Sequence, residues 1–119
     1  MYSVKESSTH QANKKENESC PVNYTLNKIG GRWKPIILFH LAKGPQRYSA
    51  IRRSLVHISE KMLISSLREL ETEGIIEREV KPVIPPHVTY RLGKKGMDLL
   101  PIFDAMADWG NRYSHLEQQ

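Results

Sequence analysis

Lys61, Ser65, Arg68 and Thr72 recur at three- and four-residue intervals, so a helix through them carries two cations and two hydroxyls on one side. Groups of this kind donate hydrogen bonds and carry positive charge, which is the chemistry that meets base edges and phosphate oxygens. They also describe an ordinary solvated helix face, and spacing alone leaves both readings open. One further reactive group is present, because Cys20 is the single cysteine in 119 residues. A thiol enzyme would need a base beside it, and neither His10 nor His40, the nearest histidines in sequence, has an evident reason to meet it. His40, His57 and His87 are scattered without metal-ligand spacing, and His10 and His115 lie in the polar ends. There is no Gly-rich phosphate loop and no pair of carboxylates placed for acid–base work. The expectation is a binding protein rather than an enzyme, with no metal or cofactor.

The elements that must position these residues can be read from pattern. In "SEKMLISSLRELETEG", Ser59 suits an N-cap and Gly74 a left-handed stop, while Leu63, Leu67 and Leu70 form the buried face. Before it, "PQRYSAIRRSLVHI" offers an extended piece around Arg47–Tyr48 and a short helix from about Ser49 that buries Ile51 and Leu55. A short helix, a turn at Val56–Ile58 and a longer capped helix make the outline of a helix-turn-helix. After Gly74 the period falls to two: Ile76/Arg78/Val80 and Val88/Tyr90/Leu92 flank a tip stiffened by Pro82, Pro85 and Pro86. Upstream, Pro21 and Pro35 suit the first turns of two helices, one sharing Val22, Leu26 and Ile29 on a face, the other burying Ile37, Leu38 and Leu41. The pattern predicts a mainly α fold with a small β-hairpin, a winged helix-turn-helix in the α+β class, over residues 20–119. Residues 1–19, almost without apolar content, read as a flexible polar arm.

The last segment, "GMDLLPIFDAMADWGNRYSHLEQQ", reads as one helix kinked at Pro101. It is apolar on two sides. Leu100, Phe103 and Ala107 make one face, and Leu99, Ile102, Met106, Trp109, Tyr113 and Leu116 the other. A domain this small can cover one of them, and a second copy related by a two-fold axis most simply covers the other. Charge distribution supports a polyanionic partner: residues 43–95 hold 11 Lys and Arg against 6 Asp and Glu, whereas residues 96–119 hold one Arg against four acids. A single cysteine and the absence of a long apolar run or apolar leader suit a cytoplasmic protein with no membrane contact.

The segments "CPVNYTLNKIGGRWKPIIL", "ISEKMLISSLRELETEGIIER", "PPHVTYRL" and "LLPIFDAMADWG" together resemble the HxlR family of bacterial winged-helix transcriptional regulators, within the MarR-like superfamily. The resemblance runs from Cys20 to about Trp109. It implies a homodimer that binds double-stranded operator DNA, with the outer helices dimerising through Val22, Leu26, Leu99, Ile102, Met106, Trp109 and Tyr113. Under it, Ser59, Lys61, Ile64, Ser65 and Arg68 become the residues that meet the major groove. Tyr48, Arg52 and Arg53 become phosphate contacts, and Arg78, Lys81, His87 and Arg91 the wing's contacts with an adjacent minor groove or backbone. Glu69, Glu71 and Glu73 are read as solvated surface. The resemblance also makes Cys20 a sensor candidate, since several family members use a cysteine at this place against small electrophiles or oxidants; the alternative is an inert small residue at a helix start. Gly93 departs from the family's pattern, because a Thr or Ser is expected there to cap the last helix. The competing function is a winged-helix module for protein–protein contact, which would call for an apolar or acidic outer face on the capped helix.

Overall fold

In the computed structural model, which describes residues 20–117, the Ser59 hydroxyl accepts from the Met62 N–H at 3.1 Å and opens a helix over Glu60–Thr72. That helix is α4 in chain order, after α1 (Pro21–Ile29), α2 (Lys34–Leu41), β1 (Gln46–Arg47) and α3 (Tyr48–Ser54). It ends as its sequence asks. Gly74 takes φ +75°, its N–H bonds to the Glu71 carbonyl, and the Ile75 N–H reaches back to Leu70 at 3.0 Å. Ile75 and Leu70 are both buried, so the stop is also a packing contact.

β2 (Ile76–Lys81) and β3 (His87–Leu92) form the hairpin, with Ile76 opposite Leu92 and Lys81 opposite His87. The extended piece before α3 is a strand in its own right. Gln46 and Arg47 pair antiparallel with Tyr90 and Thr89, so the sheet has three strands in the order β1-β3-β2 rather than two. Sequence pattern offers the extended piece, one residue later, but not its pairing, because two residues are too few to show an alternation.

The core gathers Ile37, Leu38 and Leu41 of α2, Ile51 of α3, Leu63, Leu67 and Leu70 of α4, and Ile76 and Tyr90 of the sheet. From the outer helices it takes only Ile29 and Phe103. Val22 and Leu26 are 66% and 56% exposed, so the face they share with Ile29 is not packed within one chain. Leu99 lies on the core side, which corrects its assignment to the outer stripe.

The C-terminal segment is not one kinked helix. A single turn, α5 (Lys94–Met97), is followed by a break at Asp98–Leu99 and then α6 (Leu100–Glu117), with Pro101 in its first turn, where a missing N–H costs nothing. Gly93 precedes α5 without a side-chain cap. The reason is steric, since a Cβ there would stand 2.9 Å from the Gly74 carbonyl oxygen. Gly96 is held more tightly still, with the Ile75 carbonyl oxygen and the Leu92 side chain against the place a Cβ would occupy. Gly96→Ala is therefore expected to lower stability by about 1–3 kcal/mol, the usual range for forcing atoms into a packed contact. An unchanged thermal midpoint would show that α5 can lift from the sheet freely.

Candidate nucleic-acid interface

The helix-turn-helix is tied at its corner by two polar contacts. Arg52 Nη1 donates to the Ile58 carbonyl at 3.1 Å, and the Tyr48 hydroxyl donates to the Glu60 carboxylate at 3.3 Å. Both residues were expected at phosphates; the structure gives them a positioning task on the turn as well. Burial, and after it the neighbouring Glu60, pushes the Tyr48 phenol up, so it remains a donor through the physiological range. Arg53, one residue on, is exposed.

With Leu63, Leu67 and Leu70 buried, the opposite face of α4 presents Lys61, Ser65, Arg68 and Thr72 to solvent, with Ile64 on its flank. Glu69 and Glu71 are exposed, as solvated surface would be, but two of the three acids also hold ion pairs. Glu69 bonds Lys34 at 2.7 Å and Glu73 bonds Lys28 at 2.9 Å. The Lys28 hydrogen bond holds the Glu73 carboxyl below its usual range and raises the lysine in turn. These pairs fasten α4 to α2 and α1 and set a lysine against each of two negative charges, in a cleft that Arg68 also lines. No local spacing signals them, because the partners come from other helices.

Strand alternation divides the four wing residues between two faces. Arg78 lies on the face of Ile76 and Tyr90, over a cleft of about 340 Å³ shared with Arg68, Glu71, Ile64 and Tyr48. Burial pushes the Tyr90 phenol up there, against the pull of the Arg78 guanidinium. Lys81 and His87 face each other across the strands on the opposite face, together with Arg91, whose Nη2 lies 3.5 Å from the Glu79 carboxylate. Arg78, though on the hairpin, thus shares a cleft with α4, and Glu71 lines that cleft with the two arginines.

The second apolar face of α6 is open. Ile102, Met106, Trp109 and Tyr113 are all exposed, with the Trp109 and Tyr113 rings 5.0 Å apart, and Pro101 and Ala105 complete an apolar depression beside them. Leu116 falls outside the described side chains. Cys20 sits half-buried at the N-cap of α1, two residues from exposed Val22. Among the described residues no helix is long and apolar enough to cross a membrane, and no cluster of side chains is arranged to hold a metal ion. The polar arm, residues 1–19, lies outside the described residues.

A family model described as HxlR-like helix-turn-helix matches residues 28–118. An HTH-type transcriptional regulator of Methanothermobacter thermautotrophicus is 46% identical over 99 residues, covering 82% of this chain and 76% of that one. Among solved structures, the redox regulator HypR in its oxidized form matches with a TM-score of 0.74 at 44% identity, over 78% of this chain and 96% of that one. Its reduced form matches with a TM-score of 0.78 at 42% identity, over 84% of this chain and all of that one.

Proposed function

The chain belongs to the HxlR-like helix-turn-helix family of DNA-binding transcriptional regulators, and from that premise we propose that it acts as a homodimer whose α4 helices read operator DNA and whose Cys20 responds to oxidants or electrophiles. The observation that carries the reading is the composition of the outward face of α4. Lys61, Ser65 and Arg68 point away from the core, while Glu69 and Glu73 are drawn to Lys34 and Lys28. A protein-contact face would be apolar or acidic, and this one is neither.

Lys61 and Arg68 donate to guanine O6 and N7, Ser65 serves several bases, and Ile64 touches a thymine methyl. Ser59 contributes the cap that sets the helix entry. Arg53, Lys81, His87 and Arg91 hold backbone phosphates, with Tyr48 and Arg52 bracing the turn behind them. Arg78, beside Arg68, meets the phosphate strand that passes between α4 and the hairpin. The open stripe of α6, with Val22 and Leu26 of α1, forms the two-fold contact. The likeness to the redox regulator HypR, in oxidized and reduced form, supports a redox response, for which the half-buried Cys20 is the candidate group in this chain.

The test is binding to duplex DNA at two salt concentrations, where counterion release makes affinity fall steeply as salt rises. On a selected operator, Arg68→Ala is expected to cost about 1–3 kcal/mol and to narrow the gap between specific and random DNA. Lys81→Ala is expected to weaken both alike and flatten the salt slope. If the two variants behave identically on both DNAs, the division between base reading and backbone contact is wrong.

A further inference from the structure

The hairpin ends in a feature that charge-based backbone contact does not explain. Its tip, residues 82–86, reads Pro-Val-Ile-Pro-Pro, without a single charge. Ile84 is 100% exposed and Val83 nearly half exposed. Five of the six residues of β2 are exposed, so the hairpin projects from the body and carries these side chains outward. The tip is stiff, because three prolines fix their own φ angles and the Val83 N–H closes on the Lys81 carbonyl at 2.8 Å. Directly behind it, Lys81 and His87 stand opposite each other on neighbouring strands. The arrangement is an aliphatic point with hydrogen-bond donors at its shoulders.

On the DNA-binding reading above, we propose that Ile84, backed by Pro85, enters the minor groove beside the half-site as an apolar wedge while Lys81 and His87 meet the phosphates on its two rims. The minor groove is about 6 Å wide, its walls are sugar C–H groups, and aliphatic and proline side chains are the residues that part base steps there. A·T pairs leave the groove floor clear, and a guanine N2 amino group obstructs it. Pyrimidine–purine steps such as TA unstack most readily. The wedge therefore confers a preference for A·T-rich flanks outside the bases that α4 reads, and it bends the duplex toward the major groove.

The experiment starts by selecting duplexes from a random library with the wild-type protein. The enriched half-site is then rebuilt with flanks of A·T, G·C or inosine·C pairs. An inosine·C pair presents the major groove of G·C and the minor groove of A·T. Wild type is expected to bind the A·T and inosine·C versions about tenfold more tightly than the G·C version, within the usual range for one unfavourable pair, and to bend both. Ile84→Asp is expected to bind all three alike without bending, and Ile84→Leu to restore preference and bend. Thermal midpoints of both variants should match wild type, since Ile84 has no buried contact to lose. Wild type treating inosine·C like G·C, or an Asp variant that keeps flank preference and bend, overturns the wedge while leaving DNA reading intact. A lowered midpoint would place Ile84 in packing and overturn it as well. Failure to enrich any half-site sinks the DNA reading, and the wedge with it.

Discussion

Replacing Trp109 with Asp is expected to convert the protein to a monomer and to lower operator affinity by a hundredfold or more. Trp109 stands at the middle of an open stripe in which Ile102, Met106 and Tyr113 are also exposed, and its ring lies 5.0 Å from that of Tyr113. Truncating a buried interface Trp commonly costs about 2–4 kcal/mol. A carboxylate in its place must also be stripped of water against an apolar surface, which adds to the loss. The larger effect falls on DNA. Two linked heads bind their half-sites with an avidity that can exceed single-head affinity by about 10²–10⁴, and that gain vanishes with the dimer. Sedimentation and operator binding measured on the same sample check both steps. The folded head should survive, because Trp109 is 65% exposed in the single chain and is absent from its core. A fully dimeric Trp109→Asp protein would move the two-fold contact elsewhere.

What the sequence showed of this molecule depended on how local each signal is. α4 was legible at both ends, because a cap, a leucine face and a glycine stop all lie within one stretch, and the structure realises each of them. The hairpin was legible for the same reason, its register following from alternation. Non-local features were not. β1 is two residues long and exists only because Tyr90 and Thr89 offer it a partner edge. The ties of Glu69 to Lys34 and Glu73 to Lys28 join helices far apart in sequence, so these acids read as solvated until the helices were packed. Pro101 misled in an instructive way. Proline suits a kink and a first turn equally, and the break two residues before it decides for the first turn. Gly93 looked like a missing cap and is a close approach of two backbone segments.

The same distinction separates the two halves of the candidate site. Lys61, Ser65 and Arg68, the residues proposed for the major groove, share a face by helical spacing, and all three are exposed. Charge counted along the hairpin groups Arg78 with Lys81, His87 and Arg91, but the pleat divides them between two faces. Alternation places Arg78 over the α4 cleft beside Glu71, on the other side of the sheet from Lys81. Val22 and Leu26 are assigned from sequence to the dimer contact, and α1 leaves both exposed in the single chain while anchoring Ile29 in the core. An apolar face that the monomer leaves unfilled, on the helix that begins with Cys20, joins the thiol's surroundings to the proposed dimer contact.

Treating the wild-type dimer with a quinone or a disulfide-forming oxidant is expected to release it from its operator, with affinity falling on the order of a hundredfold, within the usual range of coupling between two sites. Cys20→Ser should stay bound. With a quinone, the Cys20 sulfur adds to a ring carbon and the thiol proton ends on the ring oxygen. With an oxidant, the two Cys20 thiols of the dimer give up two electrons and two protons and join as a disulfide, or one joins a small thiol instead. No disulfide within a chain can form, because Cys20 has no second cysteine to meet. The route to DNA is short. Cys20 stands at the N-cap position of α1, Val22 and Leu26 of that helix are exposed, and Lys28 near its end is bonded to Glu73 just past the end of α4. A bulky adduct or a cross-link that turns α1 therefore acts on the dimer contact and on α4 together. Half-site spacing is fixed by the dimer, so a small rotation of one head misplaces its helix in the groove. Operator affinity of both proteins, before and after treatment, is the measurement, with thermal midpoints confirming that untreated Cys20→Ser is as stable as wild type. Release of the Ser variant as readily as the wild type excludes this thiol as the sensor.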